Sequence, residues 1–551
     1  MPSLILSSLA INLLSLALPL ALLQVYDRII PNSSLSTLLI LVGGVVVALV
    51  LELLLRMARS AITAWIGSRF EHLAGCAAFR HMLHSRIDAF EREGAGLSIE
   101  RMAGLRTAKE FYAGQALVAL LDLPFVVIFL ALIWLLGGPL VYVAGGMLVL
   151  YLVFTLIQAR GLRHTIEDHT TLRDRRLSFS IEVLSGVHTV KSMGMEAQMV
   201  QRYDRLLESV AGGSRGVAYR NAATLNIGTL LSQLALISVV AFGATRVIDL
   251  QMTVGALAAC TLLTGRAMQP LQRAAGFWSR FQTIRLSRQR LRAIFDLPLE
   301  PRSDQTATAQ WQGALELEDV HFRYGEDGPV ILEGASLAVA PGECIGINGN
   351  NGAGKTSLMA LMRGTLIPDS GEVRFDGRQI FDYDAAEVRR SGIAYLPQQG
   401  ELFKGTLLEN MTMFRKGLTG KARELAAELG LDQVVAKLPG GYHTMIGDAG
   451  EDALPRGIKQ RVAIVRALVN DPKAVLFDEA NTAMDSNGDM RLRAYLEQIK
   501  GRVTLIIVSS RPSLLNLGDR RFDLTDGQLI ERQAEPPQQN RPEGSAERVP
   551  A

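Results

Sequence analysis

The chain is poor in the residues that build covalent frameworks or hold transition metals. It has three cysteines in 551 residues, Cys76, Cys260 and Cys344, far apart and in no CxxC spacing. That excludes a disulfide scaffold and reads as reduced thiols facing a cytosol or a membrane. Eight histidines are spread along the chain. His81 and His84 sit three apart, but with no obvious third ligand they read as a solvated helix face rather than a metal pair. A charge excess of one sign is also missing: 57 Lys and Arg against 54 Asp and Glu leave a net charge of +3. No large basic surface argues for nucleic acid. What is abundant is apolar residues, in long uncharged runs confined to the first half. The second half has ordinary globular composition, and the length exceeds one ordinary domain.

The amino terminus, "MPSLILSSLAINLLSLALPLALLQVYD", lacks a basic leader and is about long enough to cross a bilayer. It reads as a first membrane helix rather than a signal peptide. Six spans of about 20 residues are expected, near 4–26, 36–56, 115–136, 139–159, 224–245 and 252–274. The short connections between them hold at most one Lys or Arg each, and the two long ones about nine and ten of the two together, mostly Arg. The positive-inside rule therefore puts the long connections in the cytoplasm. Both have helical periodicity without proline, so they are expected to be helices extended beyond the membrane, turning near Glu93–Ser98 and Ser185–Val187. Asp122, followed by Pro124, reads as an acid near the inner interface, with an ion pathway as the sharper alternative. Arg266 faces either a translocation cavity or the bundle, where it packs or snorkels.

The expected organisation is a membrane domain over 1–295, a polar linker over 296–312, a globular domain over 313–532 and a disordered tail over 533–551. The fold class is an α-helical membrane domain with six transmembrane helices joined to an α/β P-loop nucleotide-binding domain. The strongest signal is "GNNGAGKTS": Gly349, Asn350, Asn351, Gly352, Ala353, Gly354, Lys355, Thr356 and Ser357. It fits G-x-x-x-x-G-K-[ST] in full, between the short apolar run "ECIGIN" and the helical "SLMALMRG". Glycines let backbone N–H groups curl around phosphate, and the helix amino end adds positive potential. Lys355 is placed for the β and γ phosphates and the Thr356 hydroxyl for Mg²⁺. The second signal is "AVLFDEA", a buried strand ending in two acids. Asp478 is placed for the Mg²⁺ shell and Glu479 to polarise a water. A strand-ending acidic turn is the plainer reading of that segment taken alone.

These elements, in this order after six spans, resemble an ABC exporter half-transporter over nearly the whole chain. The resemblance implies further roles. "FRYGEDG" is similar to the adenine-stacking segment and nominates Tyr324. "YLPQQGELFKGTLLENM" is similar to the glutamine loop and nominates Gln398, for Mg²⁺ and for sensing the membrane domain. "EANTAMD" resembles the D-loop, ending at Asp485. In the membrane half, "LALPLALLQVYDRIIPNSS", "GQALVALLDLPFVVIFLALIWLLGGPLV" and "MGMEAQMVQRY" resemble the type I secretion subgroup, the haemolysin and protease exporters. ATP and Mg²⁺ are then the implied cofactors. The implied assembly is a dimer, homomeric or with a second half-transporter, each ATP sandwiched between one subunit's phosphate loop and the other's signature segment. A periplasmic adaptor and an outer-membrane channel are the implied partners, and an unfolded polypeptide the implied cargo. The implied location is the bacterial inner membrane, nucleotide domain in the cytoplasm. The turns near Glu93–Ser98 and Ser185–Val187 become the expected coupling segments. Because the sequence begins at the first span, no leader-peptide processing is expected.

Two departures from the family pattern stand out. The family signature is LSGGQ, and the corresponding residues are Leu454, Pro455, Arg456, Gly457 and Ile458. Pro455 supplies neither N–H nor hydroxyl, although it is compatible with a first helical turn. Arg456 brings bulk where glycine allows close approach, with a charge that could partly replace the missing donors. Separately, the family's γ-phosphate histidine is replaced by Ser510, and no histidine follows His443. The expectation is an ATP-driven polypeptide exporter subunit with weakened hydrolysis, Glu479, Lys355 and Gln398 being its catalytic candidates. The alternatives are a non-hydrolysing regulatory half of a heterodimer and an exporter of lipid or a small amphiphile.

Overall fold

The computed structural model describes residues 2–93, 95–113, 118, 121–301, 310–325, 328–446 and 454–532. They form two compact units. One holds the chain to Ser85 together with Ala89–Pro298, and the other holds Arg86–Asp88 and the chain from Leu299. Most of the expected linker, 302–309, and the expected tail, 533–551, lie outside the described residues.

The first unit is helical: α1 Pro2–Leu14, α2 Ala17–Gln24, α3 Leu35–Leu83, α4 Ile87–Glu93 (only its last residues, Ala89–Glu93, fall in this unit), α5 Ala95–Ala113, α6 Phe125–Gly137, α7 Leu140–Ser185, α8 Val187–Ser192, α9 Glu196–Ile248 and α10 Val254–Phe295. Among the described residues, Ser3–Ile29, Leu35–Leu83, Leu140–Gln158 and Glu196–Ile248 are long and apolar enough to cross a membrane, and α6 is a shorter apolar helix. Much of the start of the expected third span, residues 115–117, 119 and 120, is outside the described set. Leu39, Ile40, Trp134, Leu135 and Ile157 are exposed, which suits helix faces against lipid tails.

Local sequence explains the helix breaks. The first span is not one rod: α1 stops at Leu14 and α2 resumes at Ala17. Pro19 has no N–H to give the Ser15 carbonyl, so the ladder is interrupted there. A π-helical segment, Val25–Ile29, then ends the span. Its Asp27 accepts from Thr253 Oγ1 at 2.7 Å and from the Gly255 N–H at 3.0 Å, so it caps α10. The second expected turn is where the sequence put it, α7 ending at Ser185 and α8 starting at Val187. At the first expected turn, α4 ends at Glu93 and α5 starts at Ala95, with residue 94 outside the described residues; a further break comes earlier, where α3 ends at Leu83 and Ser85 closes back on the Met82 carbonyl at 2.7 Å. No proline or glycine marks that break, so periodicity alone carried the expected helix past it.

Two polar groups differ from their expected settings. Asp122 is 3 % exposed and meets Arg59 at 3.4 Å, Arg273 at 3.3 Å and the Asn12 amide at 3.1 Å. It is the centre of a buried ionic cluster rather than an interface acid. His81 is half-buried, with Nε2 at 3.0 Å from the Leu297 carbonyl and its ring against Phe295. Among the described residues no group of three His, Cys, Asp or Glu is placed to hold a metal.

The second unit is α/β. Its strands are β1 Leu315–Arg323, β2 Val330–Val339, β3 Cys344–Gly349, β4 Ser370–Phe375, β5 Arg378–Gln379, β6 Ile393–Leu396, β7 Gly405–Thr406, β8 Met445–Ile446, β9 Ala474–Asp478, β10 Thr504–Val508, β11 Arg520–Thr525 and β12 Gln528–Glu531. One sheet has the order β2-β1-β4-β5 and is antiparallel; the larger has the order β12-β11-β3-β10-β9-β6. From β11 to β6 its neighbours run parallel. All five residues of β9 and of β10 are buried, as strands covered on both faces require. One core lies between the two sheets, around Leu317, Phe375, Ile345 and Leu358. The other packs helical residues such as Val462 and Val465 on the far face, against Phe477 and Leu505. In such a sheet the loops at the carboxyl ends of the strands form the ligand crevice. The loop after β3 and the two acids at the end of β9 share that edge.

Candidate active site

The stretch Asn350–Gly354 joins β3 to the helix Lys355–Met362. Its shape depends on glycine at one tight place. Gly354 has φ +95°, and a Cβ there would come within 2.6 Å of Ile331 Cγ2. The loop and helix start, Asn350 to Ser357, line a cavity of about 440 Å³ with Ile331, Gln398, Asp478 and Glu479. That volume lies in the range of small-molecule sites. The lysine, the loop's N–H groups and the helix amino end supply positive potential for an anion, and Asp478 and Glu479 face it from the opposite wall. This donor set fits a nucleotide polyphosphate with a divalent cation.

Lys355 bridges the cavity. Its ammonium donates to the Gly349 carbonyl at 2.6 Å and the Asn350 carbonyl at 3.1 Å, and lies 3.9 Å from Glu479 Oε1. Gln398 Nε2 donates to Glu479 Oε2 at 3.2 Å, so the glutamine holds the candidate base. Glu479 has φ +46°, a left-handed backbone uncommon outside glycine. Its N–H is tied to the Val508 carbonyl of β10 at 2.9 Å. The strained position turns the chain sharply after β9 and separates the roles of two adjacent acids. Asp478 is 4 % exposed, and the Tyr395 hydroxyl donates to its Oδ2 at 2.9 Å. Burial first, and the Asp478 charge next, raise the Tyr395 pKa above the usual tyrosine value, so the hydroxyl stays protonated as a donor. Thr356 is exposed at the cavity.

The remaining candidates are placed around this centre. Tyr324 is 43 % exposed; its hydroxyl is 3.0 Å from Ser357 Oγ and its ring packs edge-on against Phe322. Asp485 caps the helix Ser486–Ile499, accepting from the Gly488 N–H at 3.0 Å and pairing with Arg461. The Gly488 N–H and then the Arg461 charge hold its carboxyl below the usual aspartate value. Pro455 occupies the cap position of the helix Arg456–Leu468 with φ −52° and ψ 140°, and its carbonyl accepts from Ile458 N at 2.9 Å. The helix forms despite the substitutions. Pro455 and Arg456 are exposed, Leu454 and Gly457 are half-buried and Ile458 is buried. Ser510 is exposed just beyond β10, whose Val508 carbonyl holds Glu479. Neither the signature segment nor Asp485 nor Ser510 lines the cavity of this chain.

Three contributors were not found by sequence reasoning. Ile331 belongs to β2, an ordinary apolar strand, and meets Gly354 only in the fold. Tyr395 lies three residues before Gln398, but its bond to Asp478 crosses strands. Arg363 follows the phosphate-loop helix and sits 4.3 Å from the Tyr395 ring centre. Cys344 opens β3 at the end away from the phosphate loop, and burial pushes its thiol up to about 12, so it stays unreactive.

Comparisons with known proteins agree with this architecture. The family model for the ABC transporter transmembrane region matches residues 2–271, and that for the ABC transporter matches residues 332–482. The chain is 32% identical over 530 residues to the cyclolysin secretion/processing ATP-binding protein CyaB of Bordetella pertussis (strain ATCC 9797), covering 96% of this chain and 74% of that protein. It is 30% identical over 522 residues to the alpha-hemolysin translocation ATP-binding protein HlyB of Escherichia coli O157:H7, covering 95% and 74%. The solved structure of a bacterial Atm1-family ABC exporter with ATP bound shares the fold, with a TM-score of 0.81 at 23% identity, over 96% of this chain and 93% of that one. The chain thus belongs to the ABC transporter family, as a multi-pass inner-membrane exporter chain whose membrane-spanning region is fused to an ATP-binding and ATP-hydrolysing domain, close to the ATP-binding proteins of type I secretion.

Proposed function

We propose that this chain is a subunit of a polypeptide exporter of the type I secretion kind in which ATP is bound well and hydrolysed slowly. The observation that carries the reading is an asymmetry within the chain. The groups for binding phosphate and activating water, Lys355, Gln398, Asp478 and Glu479, converge on one cavity. The groups that a second subunit's site would receive, Pro455 and Arg456, depart from the family pattern, as does Ser510 just beyond β10.

ATP is the substrate, and Mg²⁺ bound with it would supply charge neutralisation on the phosphate oxygens. Thr356, Gln398 and Asp478 are the residues suited to hold that cation. Lys355 would exchange its two loop carbonyls for phosphate oxygens. Glu479, held by Gln398, would orient the attacking water. Tyr324 would stack on the adenine. In a homodimer both composite sites would lack the signature serine and the histidine. In a heterodimer with a complete half, each site would lack only one of them. Each missing donor costs roughly 10² to 10³ in rate, which favours a heterodimer or a regulatory, non-hydrolysing subunit as the second reading. Names of the relatives support toxin export as the cargo class; a periplasmic adaptor and an outer-membrane channel are the partners that the type I secretion resemblance implies.

The test is ATP turnover by the purified chain in lipid discs, with Glu479→Gln as the baseline. Turnover is expected near that baseline, and Pro455→Ser with Arg456→Gly and Ser510→His is expected to raise it by about 10²-fold or more. Fast turnover by the unmodified chain would rule out the weakened-hydrolysis reading.

A further inference from the structure

Next to the cavity is a buried polar arrangement that the proposed roles do not use. On the sheet, β6 runs parallel to β9 with Tyr395 opposite Leu476. Side chains two apart on a strand share a face, so Tyr395 reaches diagonally to Asp478, two residues beyond Leu476. Its hydroxyl meets Oδ2 at 2.9 Å. Behind the tyrosine ring lies Arg363, its guanidinium 4.3 Å from the ring centre. Arg363 is an unusual resident. Its Nε is buried with no hydrogen-bond partner, and Nη2 reaches Thr365 Oγ1 at 3.3 Å. A buried cation with unfilled hydrogen-bonding capacity is costly, so its stacking on Tyr395 is a main contact that it keeps.

We propose that Tyr395, braced by Arg363, is a positioning residue for the divalent cation. Its hydroxyl fixes the Asp478 carboxylate through Oδ2 and turns Oδ1 toward the cation that accompanies the nucleotide. The proposal rests on the nucleotide reading of the site. A carboxylate that is nearly fully buried has no water to orient it, so without this hydroxyl it rotates and loses the set angle. Gln398 holds Glu479 separately, so the two adjacent acids are kept in different orientations by different donors. The arrangement follows the general rule that outer partners orient metal-holding groups and that losing one weakens metal affinity by roughly 10–100-fold.

The experiment uses the full chain in lipid discs with Mn²⁺ as the spectroscopic substitute for Mg²⁺ and a non-hydrolysable ATP analogue. Electron paramagnetic resonance reports bound Mn²⁺, and a fluorescent nucleotide in excess chelator reports metal-free binding. Tyr395→Phe is expected to weaken Mn²⁺ binding by about 10-fold and leave metal-free nucleotide binding unchanged. Arg363→Lys, which keeps the charge but loses the flat stack, is expected to give a smaller shift in the same direction. In an Asp478→Asn background, Tyr395→Phe is expected to add nothing. Unchanged Mn²⁺ affinity in Tyr395→Phe, or an equal loss of metal-free nucleotide binding, would overturn the proposal alone. Failure of the unmodified chain to bind any nucleotide would overturn the nucleotide reading and this proposal together.

Discussion

Gly354 shows how much of the site depends on single residues. Its φ of +95° and the 2.6 Å approach of a would-be Cβ to Ile331 leave room for glycine alone. Gly354→Ala is therefore expected to destabilise the chain by about 1–3 kcal/mol and to weaken nucleotide binding at least tenfold. Thermal unfolding and fluorescent-nucleotide titration measure the two effects, and a variant with native affinity would show that the loop does not need this conformation. At this scale the sequence was legible wherever chemistry dictates residue type at fixed spacing. Lys355, Thr356, Asp478 and Glu479 fall at one sheet edge as their motifs require. Ile331 and Tyr395 were not legible, because an isoleucine and a tyrosine in apolar strands have no spacing rule. Only the pairing of strands distant in sequence gives them a role.

Elements were read best where their ends are marked. The Gly138–Pro139 turn separates α6 from α7, and Gly138 has the positive φ of +54° that a sharp reversal needs. The additional break after Leu83 carries no such mark and was not expected. The interruption at Pro19 was hidden inside an apolar run that reads as one span, because hydropathy does not register a missing N–H. Asp27 belongs to this scale too. Two bonds tie the end of the first span to the start of α10, and Gly255 is small because a Cβ there would sit 2.5 Å from Asp27 Oδ1. Asp27→Ala removes the cap and is expected to cost about 1–2 kcal/mol. Asp27→Asn keeps one acceptor and is expected to recover part of that. Thermal unfolding of the full chain in detergent checks both, and an unshifted Asp27→Ala would mean that the tie carries no stability.

For the whole molecule, the proposed reading assigns Leu454–Ile458 to a site that one chain would not complete. On that reading, occlusion of ATP, its retention through rapid gel filtration, would depend on two chains closing on one nucleotide. In the Glu479→Gln chain, which removes the candidate base, occlusion is expected to be slight with Pro455 and Arg456 in place. It is expected to rise several-fold when Pro455→Ser, Arg456→Gly and Ser510→His are added. Stoichiometric occlusion without those changes would show that Arg456 substitutes for the lost donors. The two carbonyls that Lys355 meets have a consequence for what the proposed site would admit. Its ammonium is already satisfied by the Gly349 and Asn350 carbonyls, so the loop acts as an internal competitor, present at fixed effective concentration. A ligand gains from this lysine only by offering something stronger than two neutral carbonyls, and charged oxygens at the depth of the second and third phosphates do so. Adenosine and its monophosphate would offer nothing there, so under the proposed reading the chain would screen its nucleotides by making them displace part of itself.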